Sequence, residues 1–192
     1  MSHSAGSPTI QPGHAVAPRG GGAGFGLPAR TFHWLTVLML VGSFAVVWAV
    51  GWLPAGPPRA QAVGLHRTIG LLVLLITVLR LLWRLVSRRP PRVGTLPWRW
   101  AAVVVHAMLL ASLLVVPLLG WAYTNARGHP LLLWGIRLPS LIFKDEYFSR
   151  VAIEGHEFLA YTLLTLIGAH AAAALWHHVV LHDATLKRMW HG

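Results

Sequence analysis

The chain contains no cysteine, and only 11% of its 192 residues are charged. The absence of cysteine excludes disulfides, thiolate metal sites and haem attached covalently through a C-x-x-C-H motif. Soluble domains carry about 25% charged residues, so the scarcity of charge is typical of a protein in a lipid bilayer. Acidic residues number only five, against sixteen lysines and arginines. The arginines flank long apolar runs, which predicts membrane orientation and attraction to anionic lipid, and no binding of nucleic acid.

Four apolar runs are long enough to cross a bilayer, which takes about 20 residues in a helix. They extend from about Thr31 to Leu53, Ala62 to Leu85, Trp100 to Tyr123 and Ile153 to His182. We therefore predict an all-α membrane protein, a four-helix transmembrane bundle with up-down topology. Residues 1–27 are rich in glycine, proline, alanine and serine, which predicts a disordered N-terminal tail before a single domain over residues 28–192.

The distribution of basic residues predicts the orientation of the bundle. With the N-terminus inside, ten of the sixteen lysines and arginines fall on the cytoplasmic side and six on the outer side. The positive-inside rule then places both termini in the cytoplasm. The longest connection, from about Thr124 to Ala152, lies outside. Its mixture of aromatic and charged residues predicts either a short amphipathic helix on the membrane surface or a simple cap over the bundle.

Four histidines lie within or at the ends of the apolar runs: His33, His66, His156 and His170. Histidine is the commonest metal ligand, and ionisable side chains inside a membrane are costly and usually functional. Side chains of an up-down bundle meet only at equal depth, which pairs His66 with His156 outside and His33 with His170 inside. His156 and His170 share one helix face about 21 Å apart along the axis. These pairs predict two noncovalent haems, each held by two imidazoles and stacked across the bilayer.

Other histidines compete for the same roles. His106, at the inner start of the third run, is a rival to His33 or His170, and His177 is another inner candidate on the face of His170. A membrane histidine also serves as a hydrogen-bonding residue between helices. We favour interfacial, proton-handling or quinone-side roles for His106, His177 and His178, and the choice among the inner ligands stays open.

The chain resembles the bacterial di-haem cytochrome b561 family from Leu27 to Trp190. The resemblance is carried by Thr31-Phe-His-Trp34, Gly64-Leu-His-Arg-Thr-Ile-Gly70, Pro117-Leu-Leu-Gly120, Gly155-His-Glu157 and the segment from His170 to His178. It implies that residues 28–192 form a four-helix di-haem cytochrome b domain whose axial iron ligands are His33, His66, His156 and His170. It also implies two haem b groups, the bacterial inner membrane and electron exchange with ubiquinone. Similarity to some members of the family further implies that superoxide is oxidised at the outer side of the membrane.

Three functions follow as hypotheses. The first is a di-haem transmembrane oxidoreductase that passes electrons to ubiquinone, with superoxide as an anionic donor drawn to outer cations such as Arg67. The second is a membrane anchor subunit that connects a partner dehydrogenase or hydrogenase to the quinone pool. The third is a haem-free transporter with a histidine relay. The runs contain carboxylates only at Glu154 and Glu157, near one edge, and no internal repeat is evident, so the third is disfavoured.

Overall fold

The computed structural model describes residues 26–87, 96–183 and 185–190. They form four long helices, α1 (Leu27–Val50), α2 (Pro57–Val86), α3 (Leu96–Ala126) and α4 (Glu146–Val179), followed by the short helix α5 (Thr185–Trp190). Two short antiparallel strands, β1 (Leu132–Leu133) and β2 (Ile136–Arg137), lie between α3 and α4. The predicted disordered tail lies outside the described residues except at its end, where Leu27 already belongs to α1.

Each of the four long helices is long and apolar enough to span a membrane, within the part of the chain described here. Prolines occupy the first turns of α1 and α2, where a missing N–H removes no helical hydrogen bond. The Asp145 carboxylate caps α4 by accepting a hydrogen bond of 2.9 Å from the Phe148 N–H. Pro117 lies inside α3, and the helix continues past it. These observations confirm the predicted four-helix membrane bundle.

Successive helices run antiparallel, and the closely packed neighbours are α1 with α2, α2 with α3, and α3 with α4. We call the end of the bundle with the α1–α2 turn and the α3–α4 connection the loop end. The opposite end, where α1 begins and α5 lies, is the terminal end. Helices α1 and α4 are not close neighbours along their length. This separation leaves room for cavities between them.

A small apolar core holds the middle of the bundle together. Val73, Leu113 and Leu163 are buried there, and partly buried aliphatic side chains surround them. Thr77 is also buried, and its hydroxyl donates a hydrogen bond of 2.7 Å to the Val73 carbonyl, so its burial leaves no polar group unsatisfied. Most other large apolar side chains face outward, among them Leu38 and Phe158. Continuous outward apolar faces of this kind are covered by lipid.

The connection between α3 and α4 differs from the predicted amphipathic helix. Helix α4 begins at Glu146, earlier than the predicted start near Ile153, and the strands β1 and β2 form a hairpin instead of a helix. Trp134 and Gly135, which link the strands, have φ angles of 49° and 84°. Positive φ at consecutive residues is typical of a tight hairpin turn and is incompatible with a helix. Of the two predicted alternatives for this connection, the surface helix is therefore wrong, and the simple cap remains.

Hydrogen bonds from the end of α3 fix this connection. The buried Asn125 side chain accepts a hydrogen bond of 2.9 Å from the Leu141 N–H and donates one of 3.2 Å to the His129 carbonyl. The Asp145 N–H donates a hydrogen bond of 3.0 Å to the Ala126 carbonyl. The connection thereby sets the register of α3 against α4, on which the geometry at the loop end depends.

Candidate functional site

Histidines line two cavities that lie at different depths of the bundle. The cavity at the loop end has a volume of about 240 Å³ and is lined by His66 of α2 and His156 of α4. The centres of the two imidazole rings are 6.1 Å apart, and the rings are nearly perpendicular, at 86°. The structure thus brings together the pair that equal depth predicted for this end.

Backbone carbonyls orient both of these imidazoles. The Nδ1 atom of His66 lies 3.3 Å from the Ser43 carbonyl and 3.1 Å from the Ser43 hydroxyl. The Nδ1 atom of His156 lies 2.9 Å from the Val116 carbonyl. A carbonyl oxygen only accepts, so each Nδ1 carries the proton and donates it. The Nε2 atom of each ring then keeps its lone pair, which is the arrangement found in metal-binding histidines.

Gly120 gives His156 the space that its imidazole occupies. A Cβ atom at this position would lie 3.2 Å from both Cε1 and Nδ1 of the ring, so a larger residue would displace it. Gly70 lines the same cavity, and a Cβ atom there would meet no atom within 4 Å. The role of Gly120 was missed because it depends on contact between α3 and α4. The one feature of the sequence that could have indicated this role is that Gly120 lies one helical turn after Val116.

The cavity at the terminal end has a volume of about 380 Å³ and is lined by three histidines from three helices. The ring centres of His33 and His170 are 6.4 Å apart, and those of His106 and His170 are 5.1 Å apart. The Nδ1 atom of His106 lies 2.5 Å from the carbonyl of Ala102, one turn earlier in α3. Both the predicted pair and its predicted rival therefore meet at this end.

His177, the other predicted rival, does not line the cavity. Its Nδ1 atom lies 2.5 Å from a carboxylate oxygen of Asp183, across the turn between α4 and α5. Helix α5 then returns to the start of α1, where the Trp34 indole N–H donates a hydrogen bond of 3.1 Å to the Met189 carbonyl. The Arg30 guanidinium also donates to the Trp190 carbonyl. Since Met189 lines the terminal-end cavity, α5 covers part of it.

The spacing of the imidazole pairs fits a planar metal cofactor held between two rings. A bond from a metal to an imidazole nitrogen is about 2 Å long, so two rings on opposite faces of one metal have centres roughly 6 Å apart. The His66–His156 and His33–His170 pairs match this spacing, whereas the 5.1 Å between His106 and His170 is shorter. Within the described residues no group of three His, Cys, Asp or Glu side chains suits a bare metal ion. The ring spacing of these two pairs is therefore compatible with a planar metal cofactor, such as haem, between two imidazoles.

One layer of side chains separates the two cavities. Five residues line both of them: Leu40, Phe44, Trp48, Leu113 and Leu163. All five side chains are apolar, and Leu113 and Leu163 belong to the buried core. Groups held in the two cavities would be separated by little more than the thickness of these side chains.

The linings of the cavities carry opposite charges. Arg80 and Arg84 of α2 line the terminal-end cavity, and no aspartate or glutamate of the described chain lines it. Glu157, next to His156, lines the loop-end cavity, and none of the lysines or arginines in the described ranges does so. A cationic environment therefore surrounds one histidine site, and an anionic group faces the other.

Comparison with known proteins places these features in a family context. Residues 24–192 match a family model described as prokaryotic cytochrome b561. The chain is 32% identical over 178 residues to cytochrome b561 homolog 2 of Escherichia coli (strain K12), covering 86% of this chain and 90% of that protein. It is 31% identical over 160 residues to cytochrome b561 homolog 1 of the same organism, covering 82% and 91%. It is 28% identical over 160 residues to the probable superoxide oxidase CybB of Yersinia pestis, covering 82% and 90%.

Proposed function

Because the chain belongs to the prokaryotic cytochrome b561 family, whose members are haem b proteins of membrane electron transfer, we propose that it carries two haems and passes electrons from superoxide to ubiquinone. Its four spanning helices make it a multi-pass protein of the bacterial inner membrane. The observation that carries the proposal is the presence of two imidazole pairs, with ring centres 6.1 Å and 6.4 Å apart, at two depths of one bundle.

The proposed axial ligands are His66 and His156 at the loop end, and His33 and His170 at the terminal end. When bound, haem b supplies one-electron chemistry at its iron, and the protein supplies ligation, orientation and electrostatics. If each pair of imidazoles held one haem, the two rings would occupy the positions at which oxygen or superoxide could otherwise bind the iron. This arrangement favours electron transfer at the haem edge over oxygen activation.

The basic residues support an orientation in which the loop end faces the periplasm. Ten of the sixteen lysines and arginines then lie on the cytoplasmic side, as the positive-inside rule requires. The loop end still carries cations that attract an anionic donor to its surface: Arg67, Arg127, Arg137, Lys144 and Arg150. In the net reaction two superoxide ions, one ubiquinone and two protons give two oxygen molecules and one ubiquinol.

Superoxide should reduce the purified protein, and ubiquinone should reoxidise it. We expect ubiquinol to form in proportion to protein concentration when the protein is mixed with a superoxide-generating system and a soluble ubiquinone. The measurement is the absorbance change of the quinone, with superoxide dismutase added as a control that removes the donor. His156→Ala should abolish the reaction if superoxide delivers its electron at the loop end.

A different outcome would support the anchor-subunit hypothesis. In that outcome superoxide does not reduce the haems, whereas a co-purifying dehydrogenase or hydrogenase reduces them and ubiquinone reoxidises them. The chain would then be a membrane anchor subunit that connects this partner to the quinone pool. The di-haem part of the proposal would stand in that case, and the superoxide part would be wrong.

Gly120→Ala should weaken haem binding at the loop end, because the new Cβ atom would lie 3.2 Å from two atoms of the His156 ring. Losses for a disturbed ligand environment are about 10-fold to 100-fold in affinity. The measurement is the haem content per chain after purification and after dilution.

Gly64→Ala is the matched control for this variant. A Cβ atom at Gly64 meets no atom within 4 Å, and replacing a helical glycine by alanine stabilises the helix by about 1 kcal/mol. If Gly120→Ala retains haem as firmly as Gly64→Ala, the close contact with His156 has no bearing on the cofactor.

A further inference from the structure

The charged residues that line the two cavities should influence the reduction potential of a group bound in each. Arg80 and Arg84 are four residues apart in α2, so they project from the same face of the helix toward the terminal-end cavity. Glu157 is the only charged residue of the described chain that lines the loop-end cavity. Arg67 follows His66 directly and is close enough to act on its imidazole electrostatically, but it does not line that cavity.

We propose that these charges set the direction of electron transfer by making the terminal-end site the stronger electron acceptor. The inference rests on the proposed function, since it requires a haem at each end. Reduction adds one negative charge to a site, which neighbouring cations stabilise and a neighbouring carboxylate destabilises. Arg80 is half-buried, so its charge is screened less by water and salt than those of Arg84 and Glu157, which are exposed.

The step that this asymmetry favours transfers a single electron and no atom. With haem bound at both ends, the site lined by His66 and His156 would give up the electron and be oxidised, and the site lined by His33 and His170 would accept it and be reduced. With the loop end in the periplasm, the electron moves toward the cytoplasmic side, against a membrane potential that is negative inside. A higher reduction potential at the terminal end offsets this opposing field.

A redox titration of the purified protein, followed by haem absorbance, tests the inference through the two midpoint potentials. Arg80→Gln should lower the higher potential by at least about 59 mV, which is tenfold in the equilibrium constant of a one-electron couple. The lower potential should stay where it is. Glu157→Gln should raise the lower potential and leave the higher one unchanged. In His156→Ala the remaining haem should titrate at the higher potential, which assigns that potential to the terminal end.

Two controls separate charge from shape and from general surface effects. Arg80→Lys keeps the charge and should retain most of the higher potential. Lys187→Gln removes an exposed cation of α5 at the same end, outside the cavity lining, and should leave both potentials unchanged. If Arg80→Gln does not fold, Arg84→Gln tests the same direction of change with a smaller expected shift, because Arg84 is exposed.

The inference is wrong if the haem retained by His156→Ala has the lower potential, or if neither arginine variant moves the higher one. A purified wild-type protein with fewer than two haems would instead contradict the proposed function. If the protein holds two haems and their midpoint potentials do not change when Arg80, Arg84 or Glu157 is substituted, this inference is wrong and the proposed function stands.

Discussion

Replacing His156 by alanine should lower the haem content of the purified protein from two per chain to one. The His156 imidazole faces His66 across the loop-end cavity, and the Val116 carbonyl fixes its orientation so that Nε2 is free to bind iron. If the two rings bind one iron as proposed, the variant would keep only one ligand at that site. Haem affinity there should then fall by more than the roughly 10-fold to 100-fold lost when a supporting residue is changed. The measurement is a pyridine haemochrome assay per mole of protein.

His66→Ala should give the same result, and the remaining haem should keep the low-spin spectrum of two imidazole ligands. His129→Ala is the control, because His129 is exposed in the connection after α3 and lines neither cavity. Two haems in both His156→Ala and His66→Ala would mean that the pair at the loop end is not an iron site.

Replacing His170 by alanine should remove the haem at the terminal end and spare the other. His170 is the common neighbour of the two other histidines in that cavity, with ring centres 6.4 Å from His33 and 5.1 Å from His106. A haem held by His170 with either of these rings would be lost, whereas a haem held by His33 and His106 would survive the substitution. The expected loss is again one of two haems per chain, measured by the same assay and by the potential of the haem that remains.

Comparison of His33→Ala with His106→Ala then identifies the partner of His170. Only the His33 ring lies at the roughly 6 Å spacing that two rings on one iron require, so His33→Ala should lose the haem and His106→Ala should retain it. Loss of haem in His106→Ala together with its retention in His33→Ala would reverse the assignment. Retention in His170→Ala would show that His170 is not a ligand and would leave His33 with His106 as the pair at this end.

The number of helices and the two histidine pairs were predictable because both depend on simple regularities of the chain. Twenty apolar residues in a row have few alternatives to a membrane helix, and equal depth in an up-down bundle leaves one pairing of four histidines. The interval from His156 to His170 is close to a whole number of turns, so both rings face the same side of α4. The structure places each of the four in a cavity with its predicted neighbour.

Features that depend on contacts between segments were not predictable in the same way. The hairpin after α3 follows from a local turn with positive φ at Trp134 and Gly135, which a hydrophobicity pattern does not reveal. The contact of Gly120 with His156 depends on how closely α3 and α4 pack, and the return of α5 onto Trp34 depends on the turn held by His177 and Asp183. The opposite charges of the cavity linings likewise emerge only when the helices are assembled.

The most direct test of the central claim is a pyridine haemochrome count on the wild-type protein, read together with its reduced-minus-oxidised spectrum. Two histidine pairs at two depths predict two b-type haems per chain, both low-spin because each iron has two imidazole ligands. A single haem would mean that one of the pairs is structural. Protein purified without haem from haem-replete cells would contradict the claim that these histidines bind iron.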